Sequence, residues 1–422
     1  MRLATIIPAS HWISLGYSQV DARLMEKLQN DMKKYTESGS DHTEILLKGR
    51  RFSKGRNQRI LSNHDMLLPH WKKLFKSLSA HATVEDLRIY NISMPQSVLD
   101  IMLPSLHTLN LTKLSLYVNL GYKGLLQLAA FLGMNSTISK LVLGWNTIDD
   151  HDLSIATALS GALKNHPTLE SLGFAKCGLS NVAILEVILE GCKTIKRLAI
   201  TQEEFGSEAA ALLSEFIRSN HSTEHLRLHN NEITDDDALL FASALRKNSK
   251  LLSWNLKNNE ITEEGEKTLL NALFDTTSMD SIVDSNHTCM AYTFDKNNSS
   301  IVAQRPLVET EVLGINKNKT MSIGQKIRMK VVLALCGVDG CLFDLSLLND
   351  LPLSLMPRVL KLIQEHSETR TFKNINTPIQ LEKDALSRLF HTLRGWELPL
   401  LFENLNNPST IAGKRKRRKT RR

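Results

Sequence analysis

The stretch ISKLVLGWNTI, residues 138–148, combines the short-strand and turn features that decide the fold. Leu141 and Leu143 are two residues apart, and side chains two residues apart point to the same face of a strand. Asn146 follows where the chain must leave that strand. A buried amide at such a turn can bond to backbone groups that would otherwise lack a partner. The stretch therefore predicts a strand with one buried face and an asparagine that joins it to an adjacent coil.

The same pattern, apolar-x-x-apolar-x-apolar, occurs eight times between residues 84 and 287. Successive copies start 26 to 31 residues apart, which is enough for one strand and one helix. The copies begin at Val84, Leu111, Ile138, Leu169, Ile195, Thr223, Leu251 and Met279. A constant period of this length predicts a repeat protein in which each unit packs on its neighbours.

Each copy has a slot for the residue at the turn, and two residues separate it from the last apolar position. The slot holds Asn119, Asn146, Cys177, Asn231 and Asn259 in five copies, and Ile92, Glu203 and His287 in the first, fifth and last. In the last copy Asp284 also replaces the third apolar residue. Atypical copies are expected at the ends of a repeat array, since an end unit has no neighbour to cover its core.

The second half of each unit predicts a helix. Polar and acidic residues follow an isoleucine at three helix starts, namely Asp149 and Asp150, Thr234 and Asp235, and Thr262 and Glu263. Such residues accept the free N–H groups of the first turn and suit its positive end. Two helices show apolar residues at helical spacing, Leu153, Ala156 and Leu163 in the third unit and Leu239, Ala242 and Leu245 in the sixth. We expect these residues to pack against the strands.

The units read LTKLSLYVN, ISKLVLGWNTI, LESLGFAKCGL, TEHLRLHNNEI and LLSWNLKNNEI in their best copies. This sequence resembles the ribonuclease-inhibitor-like leucine-rich repeat family, whose units of about 28 residues carry L-x-x-L-x-L-x-x-N/C-x-L. The resemblance covers about half of the chain. It implies an α/β solenoid shaped as a horseshoe, with an inner parallel β-sheet and outer helices.

Outside the repeats the period is lost, which divides the chain into further regions. Residues 48–59 are rich in Lys and Arg, and Gly49 and Gly55 predict a loop or hairpin there. Residues 65–82 predict an amphipathic helix that shields the first strand. The expected regions are an N-terminal helical cap at 1–83, a solenoid of about eight units at 84–290, a linker at 291–326, a small helical C-terminal module at 327–402 and a basic disordered tail at 403–422.

The composition, with 42% apolar and 23% charged residues in 422, is typical of an ordinary globular chain. No run reaches the roughly 20 apolar residues of a membrane helix, so we expect no membrane association. Pro8, Ser10 and His11 interrupt the N-terminal apolar residues, which argues against an export signal and predicts an intracellular protein. An odd total of five cysteines argues against a disulfide framework.

The formal net charge of +8 comes entirely from the end of the tail, residues 414–422. Its basic residues are Lys414, Arg415, Lys416, Arg417, Arg418, Lys419, Arg421 and Arg422. Without these eight, 44 basic residues face 44 acidic ones, so the overall charge gives no reason to expect nucleic-acid binding except weakly through the tail. An exposed basic run of this kind predicts a nuclear-import signal bound by an import receptor. The alternative is a solvated tail that touches phosphates or anionic lipid weakly.

A segment within residues 327–364 resembles the SOCS box, a helical module that recruits ubiquitin-ligase subunits. LALC at 333–336 is followed by LPLS at 351–354, although Val332 and Ser354 depart from the Leu and Pro of that module. The other interpretation of this segment is a helical cap on the last repeat.

No motif for catalysis, a cofactor or a metal is present. The sequence lacks G-x-x-x-x-G-K-[ST], H-E-x-x-H and a paired C-x-x-C, and Cys336 with Cys341 has no second pair nearby. Asp284, His287 and Cys289 are close in sequence, but they fall in the atypical last copy, where polar residues mark a cap. We therefore predict a non-enzymatic protein.

Strand residues between the buried positions must point to the inner face of the curve. We predict that this concave face binds another protein, because Tyr, Trp and Arg side chains often dominate interface energies. The candidate binding residues are Arg88, Tyr90, Lys113, Tyr117, Lys140, Trp145, Arg197, His225, Arg227, His229, Asn255 and Lys257. The alternative is a regulatory adaptor, either a ubiquitin-ligase substrate receptor through the SOCS-box-like segment or a small-GTPase activator.

Overall fold

Strands and helices alternate along most of the chain in the computed structural model. The structure describes residues 5–37, 42–49, 61, 64–81, 83–148, 153–164, 166–219, 221–289, 291–293 and 307–336. The chain divides into two compact units, the first comprising residues 1–269 and 291–299 and the second residues 270–290 and 300–422. Among the described helices, none has both the length and the apolar character needed to cross a membrane.

The described strands belong to the first unit and form one sheet. They are β1 (Glu44–Lys48), β2 (Asp86–Tyr90), β3 (Lys113–Tyr117), β4 (Lys140–Gly144), β5 (Ser171–Ala175), β6 (Arg197–Thr201), β7 (His225–Arg227), β8 (Ser253–Asn255) and β9 (Ala291–Thr293). The sheet is parallel throughout, and each strand pairs with its neighbours in sequence order. This confirms the predicted α/β repeat arrangement with a parallel sheet.

Helices connect the strands, as parallel pairing requires. They are α1 (Ala9–Ser14), α2 (Gln19–Glu37), α3 (Leu68–His81), α4 (Gln96–Leu106), α5 (Gly121–Met134), α6 (Ser154–Lys164), α7 (Val182–Gly191), α8 (Ser207–Arg218), α9 (Asp235–Lys247), α10 (Glu263–Leu273), α11 (Met279–Val283), α12 (Leu307–Lys317) and α13 (Ile323–Cys336). The predicted helix over 65–82 is confirmed by α3, which follows a 3-10 turn at Asp65–Leu67.

The strands pair in register, so equivalent positions of successive units lie side by side. Leu114 pairs with Leu141, which pairs with Leu172, and all three are buried. Lys113 and Lys140, one position earlier, pair on the opposite face and are exposed. The predicted alternation is therefore confirmed at these positions, whereas Ser115, Gly173 and Ala175, on the same face as the two lysines, are buried.

The last copy is a helix rather than the predicted strand. Ser281, Val283 and Ser285 were expected between buried strand positions, but Met279–Val283 forms α11. The Ser278 side chain accepts the backbone N–H of Ser281 at 3.0 Å and so caps this helix. Asp284, in place of the third apolar residue, removes the apolar pattern that a strand needs.

The sheet also starts earlier than predicted, with β1 in the region expected as cap and loop. Ile45 and Leu47 are buried and alternate with more exposed residues, as in the other strands. Glu44 pairs with Asp86, 42 residues away, so β1 stands outside the regular period. This is why the repeat pattern did not reveal it.

The helix packing differs from the prediction by one position in the sixth unit. Leu239 was expected on the buried face, yet it is 62% exposed. Ala238, Phe241, Ala242 and Leu245 are buried instead, at the spacing of a true helical stripe. The predicted residues are spaced three positions apart, at Leu239, Ala242 and Leu245. Because a helix has 3.6 residues per turn, side chains at this spacing do not stay on one face.

In the third unit Leu153 was also expected to be buried. It precedes α6 and is 39% exposed, while Ala156 and Leu163 are buried as predicted. The predicted cap at Thr234 is confirmed, since its hydroxyl accepts the Asp237 N–H at 3.5 Å in a reciprocal capping box.

Slot residues join successive units through buried hydrogen bonds, as predicted. Asn146 Oδ1 accepts the Leu120 N–H at 2.9 Å, and Asn259 Oδ1 accepts the Asn231 N–H at 2.8 Å. Asn259 Nδ2 also donates to the Leu228 carbonyl at 2.9 Å. In each case the bonded backbone belongs to the preceding unit. We call the connected slot residues Asn146, Glu203, Asn231 and Asn259 the slot ladder.

Asn119 departs from this arrangement, because it is exposed and bonds within its own turn, where its Oδ1 accepts the Gly121 N–H at 2.9 Å. A residue with positive φ precedes each ladder position, for example Trp145 at 59° and Asn230 at 61°. Val118 precedes Asn119 and does not adopt that conformation, which is unfavourable for a β-branched side chain. The turn therefore follows another path.

Glu203 occupies the slot in the fifth copy and bonds as the asparagines do. Its two carboxylate oxygens accept the N–H groups of Cys177 at 2.7 Å and Leu179 at 2.9 Å, and its own N–H donates to Asn231 Oδ1 at 2.9 Å. Burial raises the pKa of Glu203 to about 7, although these backbone hydrogen bonds act in the opposite direction. Glu203 therefore makes the same bonds between units as the asparagines of the slot ladder, although it departs from the repeat sequence.

The second unit contains α11, α12 and α13, held by two buried lysines. Lys330 Nζ donates to the carbonyls of Leu273 and Asn286, both at 2.7 Å. Lys326 Nζ donates to the Asn316 carbonyl at 2.7 Å. Leu273 ends α10, so Lys330 satisfies a carbonyl at a helix C-terminus, where positive charge is favourable.

The stretch 291–326, expected as a linker, contains β9, α12 and the first turn of α13. Val312 and Ile315 are buried on α12, which explains why this segment is packed. The predicted features beyond residue 336, namely most of the C-terminal module, LPLS and the basic tail, lie outside the described residues, as do Asp149 and Asp150.

The strand register leads to a matched pair of stability predictions. Leu228→Ala should lower the free energy of unfolding by about 2–5 kcal/mol, because Leu228 is fully buried and its loss leaves a cavity. Arg227→Ala, at the adjacent exposed position, should cost about 0.5 kcal/mol. Chemical denaturation measures both, and equal midpoints would show that the alternation is misplaced.

Glu203 gives a pH-dependent prediction. The folded chain should hold this proton up to a pKa of about 7, whereas the unfolded chain loses it near the ordinary glutamate pKa of 4.5. The folded state therefore binds more protons between these values, and its stability should fall by about 3 kcal/mol as pH rises through them. In Glu203→Gln this component should vanish, so the unfolding free energies of the two proteins should diverge between pH 4 and 8, measured at about one-unit steps. Parallel pH profiles would contradict it.

Candidate partner-binding groove

The exposed strand positions of the first unit line a groove of about 650 Å³ across β2 to β8. In-register pairing creates it, since exposed side chains at equivalent positions form rows across the sheet. Eight of the predicted binding residues line it, namely Tyr90, Lys113, Tyr117, Lys140, Arg197, His225, Arg227 and His229. The structure thus brings together side chains that are up to 139 residues apart in sequence, from Tyr90 to His229.

Four predicted residues, Arg88, Trp145, Asn255 and Lys257, do not line the groove. Arg88 Nε donates to Asp86 Oδ1 at 2.9 Å, so its charge is already paired. This pair also raises the pKa of Arg88. Asn255 Oδ1 accepts the Lys257 N–H at 3.1 Å, which closes the turn after β8.

Three aromatic side chains form a cluster at one end of the groove. The rings of Tyr90 and Tyr117 stack with centroids 4.9 Å apart, and Trp145 meets Tyr117 edge-on at 6.1 Å. Gly144 makes room for this arrangement, because a Cβ there would lie 2.3 Å from the Tyr117 ring. Burial raises the pKa of Tyr117. We call Tyr90, Tyr117 and Trp145 the aromatic cluster.

Small residues occupy the centre of the groove on β5 and β6. Gly173, Ala175 and Ala199 line the groove there with no side chain larger than a methyl group. A Cβ at Gly173 would meet the Val142 side chain at 3.4 Å and the Ala199 Cβ at 3.8 Å, which is ordinary van der Waals contact, so an added methyl group is accommodated there. We call Gly173, Ala175 and Ala199 the small-residue patch.

Basic side chains lie on both sides of this patch. Lys113 and Lys140 are paired positions on β3 and β4, and Arg227 lies on β7. None of these three forms an ion pair with another described residue. Arg197 has an acidic neighbour, since its Nη1 lies 3.6 Å from Glu170 Oε2.

The two groove histidines add little positive charge at neutral pH. Burial lowers the pKa of His225 and of His229, and the nearby guanidinium groups lower both further. His225 Nδ1 lies 2.6 Å from Ser253 Oγ, which fixes the ring toward β8. Lys and Arg side chains therefore supply the positive charge of the groove.

The strand pattern misses Glu170, because this residue precedes β5 and has no place in the alternation. Its carboxylate bonds Lys196 Nζ at 2.7 Å, and the lysine, with Arg197, lowers the pKa of Glu170. The Asp86–Arg88 pair could be found from sequence, since residues two apart share a strand face. Glu170 depends on the contact between adjacent units.

No protein-family model matches the chain, and no curated protein matches it significantly. Within the described ranges, no group of His, Cys, Asp and Glu side chains is arranged to hold a metal ion. The groove lining combines aromatic rings, small residues and basic side chains.

Proposed function

We propose that this chain is a non-enzymatic leucine-rich repeat protein of the ribonuclease-inhibitor-like type, and that it binds another protein in the groove. Units of about 28 residues, the parallel sheet and the slot ladder support the family assignment. In such a horseshoe the groove lies on the concave face, where strands are exposed.

The observation that carries the proposal is the combination of side chains along one exposed face. The aromatic cluster lies at one end, Arg227 lies near the other, and small residues separate them. Tyr, Trp and Arg are the side chains that most often dominate binding energy at interfaces. A partner lying across the strands would contact several units at once.

The adaptor alternative gains less support from the described residues. Leu333, the first residue of LALC, is 3% exposed on α13. Lys330 on the same helix donates to two buried carbonyls. A ligase subunit that needed this face of α13 would have to displace a packed helix. Small-GTPase activation has no feature among the described residues that favours it.

We further propose that the chain acts in the nucleus, with the basic tail bound by an import receptor. A chain ending at Gly413 should fold normally and lose nuclear enrichment, because it lacks the eight basic residues that follow. Fluorescence microscopy of tagged chains with and without the tail measures this. The same nuclear signal in both would remove the import proposal.

The binding proposal predicts the effect of two groove substitutions. Tyr117→Ala and Arg227→Ala should each weaken binding of the main partner by about 1–3 kcal/mol, because they remove interface-type side chains from opposite ends of the groove. The partner is first identified by affinity purification with the full chain. Its affinity for each variant is then measured by titration, with circular dichroism as the check on folding.

Two helix substitutions serve as matched controls. Lys164→Ala and Lys247→Ala change exposed residues on α6 and α9, so partner affinity should stay unchanged. Lys164 lies 3.5 Å from Glu190, and loss of such an exposed pair costs little stability. If binding survives both groove substitutions and is lost in the helix variants, the partner binds the helical side instead.

A further inference from the structure

The groove has an excess of positive charge that the described residues do not neutralise. Its charged lining residues are Lys113, Lys140, Arg197, Arg227 and Glu170, so four cations face one carboxylate. That carboxylate already bonds Lys196 and lies beside Arg197. The remaining three cations have no ion-pair partner among the described residues.

Two of these cations are placed side by side. Lys113 and Lys140 are Cα partners on adjacent strands, which brings their backbones to about 4.8 Å in the hydrogen-bonding direction. Like charges directly opposite each other on a sheet are destabilising. A bound anionic group would relieve this repulsion, so the pair favours a ligand that carries negative charge.

The spacing of the cations fits an extended chain. Lys113 on β3 and Arg227 on β7 are four strands apart, or about 19 Å at the usual strand spacing. An extended peptide covers this distance with about six residues. The small-residue patch lies between the two cations and leaves room for a peptide backbone.

We propose that the groove binds an acidic, extended segment of a partner protein. Its carboxylates lie against Lys113 and Lys140 at one end and Arg227 at the other, and its backbone crosses the small-residue patch. The inference rests on the proposed function and adds the chemical class of the partner.

The contacts favour a peptide over a nucleic acid. Tyr90 and Tyr117 stack on each other, and the Tyr117 ring also lies against Gly144. Stacking of bases on a protein surface requires free aromatic faces, and Tyr90 and Tyr117 each cover one face of the other's ring. The chain's own basic tail has the same sign of charge as the groove and is therefore not the occupant.

The first test measures binding of three labelled probes to the full chain by fluorescence anisotropy at low salt. The probes are a twelve-residue peptide of alternating Glu and Ala, the same peptide with Lys for Glu, and a single-stranded DNA oligonucleotide of matching charge. The Glu peptide should bind, and Lys113→Gln with Lys140→Gln should weaken it about tenfold. The matched control is Lys72→Gln with Lys76→Gln, an exposed pair on α3, which should leave affinity unchanged.

A second variant blocks the groove without changing charge. Gly173→Leu adds a side chain to the groove lining on β5, where the new Cβ makes ordinary contact with Val142 at 3.4 Å, and should reduce Glu-peptide affinity at least about tenfold. Gly161→Leu is its control, because a Cβ at this position on α6 has no atom within 4 Å. Thermal unfolding of each variant checks the fold.

Three results would overturn the inference. The first is Glu-peptide binding that the groove variants leave unchanged, because the peptide would then bind the basic tail and not the groove. The second is tighter, groove-dependent binding of the oligonucleotide. The third is absence of Glu-peptide binding while Gly173→Leu still abolishes capture of the natural partner, and this leaves the proposed function intact. If the Glu peptide does not bind and Gly173→Leu also leaves capture of the natural partner unchanged, the proposed function fails as well.

Discussion

The structure depends on satisfying backbone hydrogen bonds where each strand turns into a helix. These turns are buried between units, and a buried N–H or carbonyl without a partner is costly. Slot residues meet this requirement, with Asn259 bonding Asn231 N–H and Leu228 carbonyl, and Glu203 bonding Cys177 and Leu179. Because each bond reaches one unit back, it also fixes the offset between neighbouring strands.

That fixed offset produces the groove. When all strands share one register, equivalent positions of neighbouring units lie side by side. Tyr90 is therefore paired with Tyr117, and Lys113 with Lys140. The apolar face of the sheet can then be uniform while the other face varies from unit to unit. The buried face provides the packing that stabilises the sheet, and the side chains on the other face are free to differ between units.

Sequence periodicity was sufficient for the repeated units and for eight of the groove residues, because alternation and a period near 28 are local properties. It failed where the outcome depends on other contacts. The pattern missed β1, because this strand stands outside the regular spacing. It placed Leu239 on the buried face, because the phase of the helix was off by one residue. It predicted a strand in place of α11, because this helix depends on a cap at Ser278. Glu170 joins the groove only because adjacent units bring it beside Lys196 and Arg197.

The buried lysines of the second unit have a consequence for chemical reactivity. Burial lowers the pKa of Lys330 to about 7, so a large share of its amine would be uncharged and nucleophilic near neutral pH. Its side chain is nevertheless fully inaccessible and bonded to the Leu273 and Asn286 carbonyls. An acetyl group would leave Nζ with a single N–H for the two carbonyls and would not fit. Lys330 is therefore shielded from acylation for as long as α13 stays packed, and its labelling by an amine reagent reports the opening of this unit.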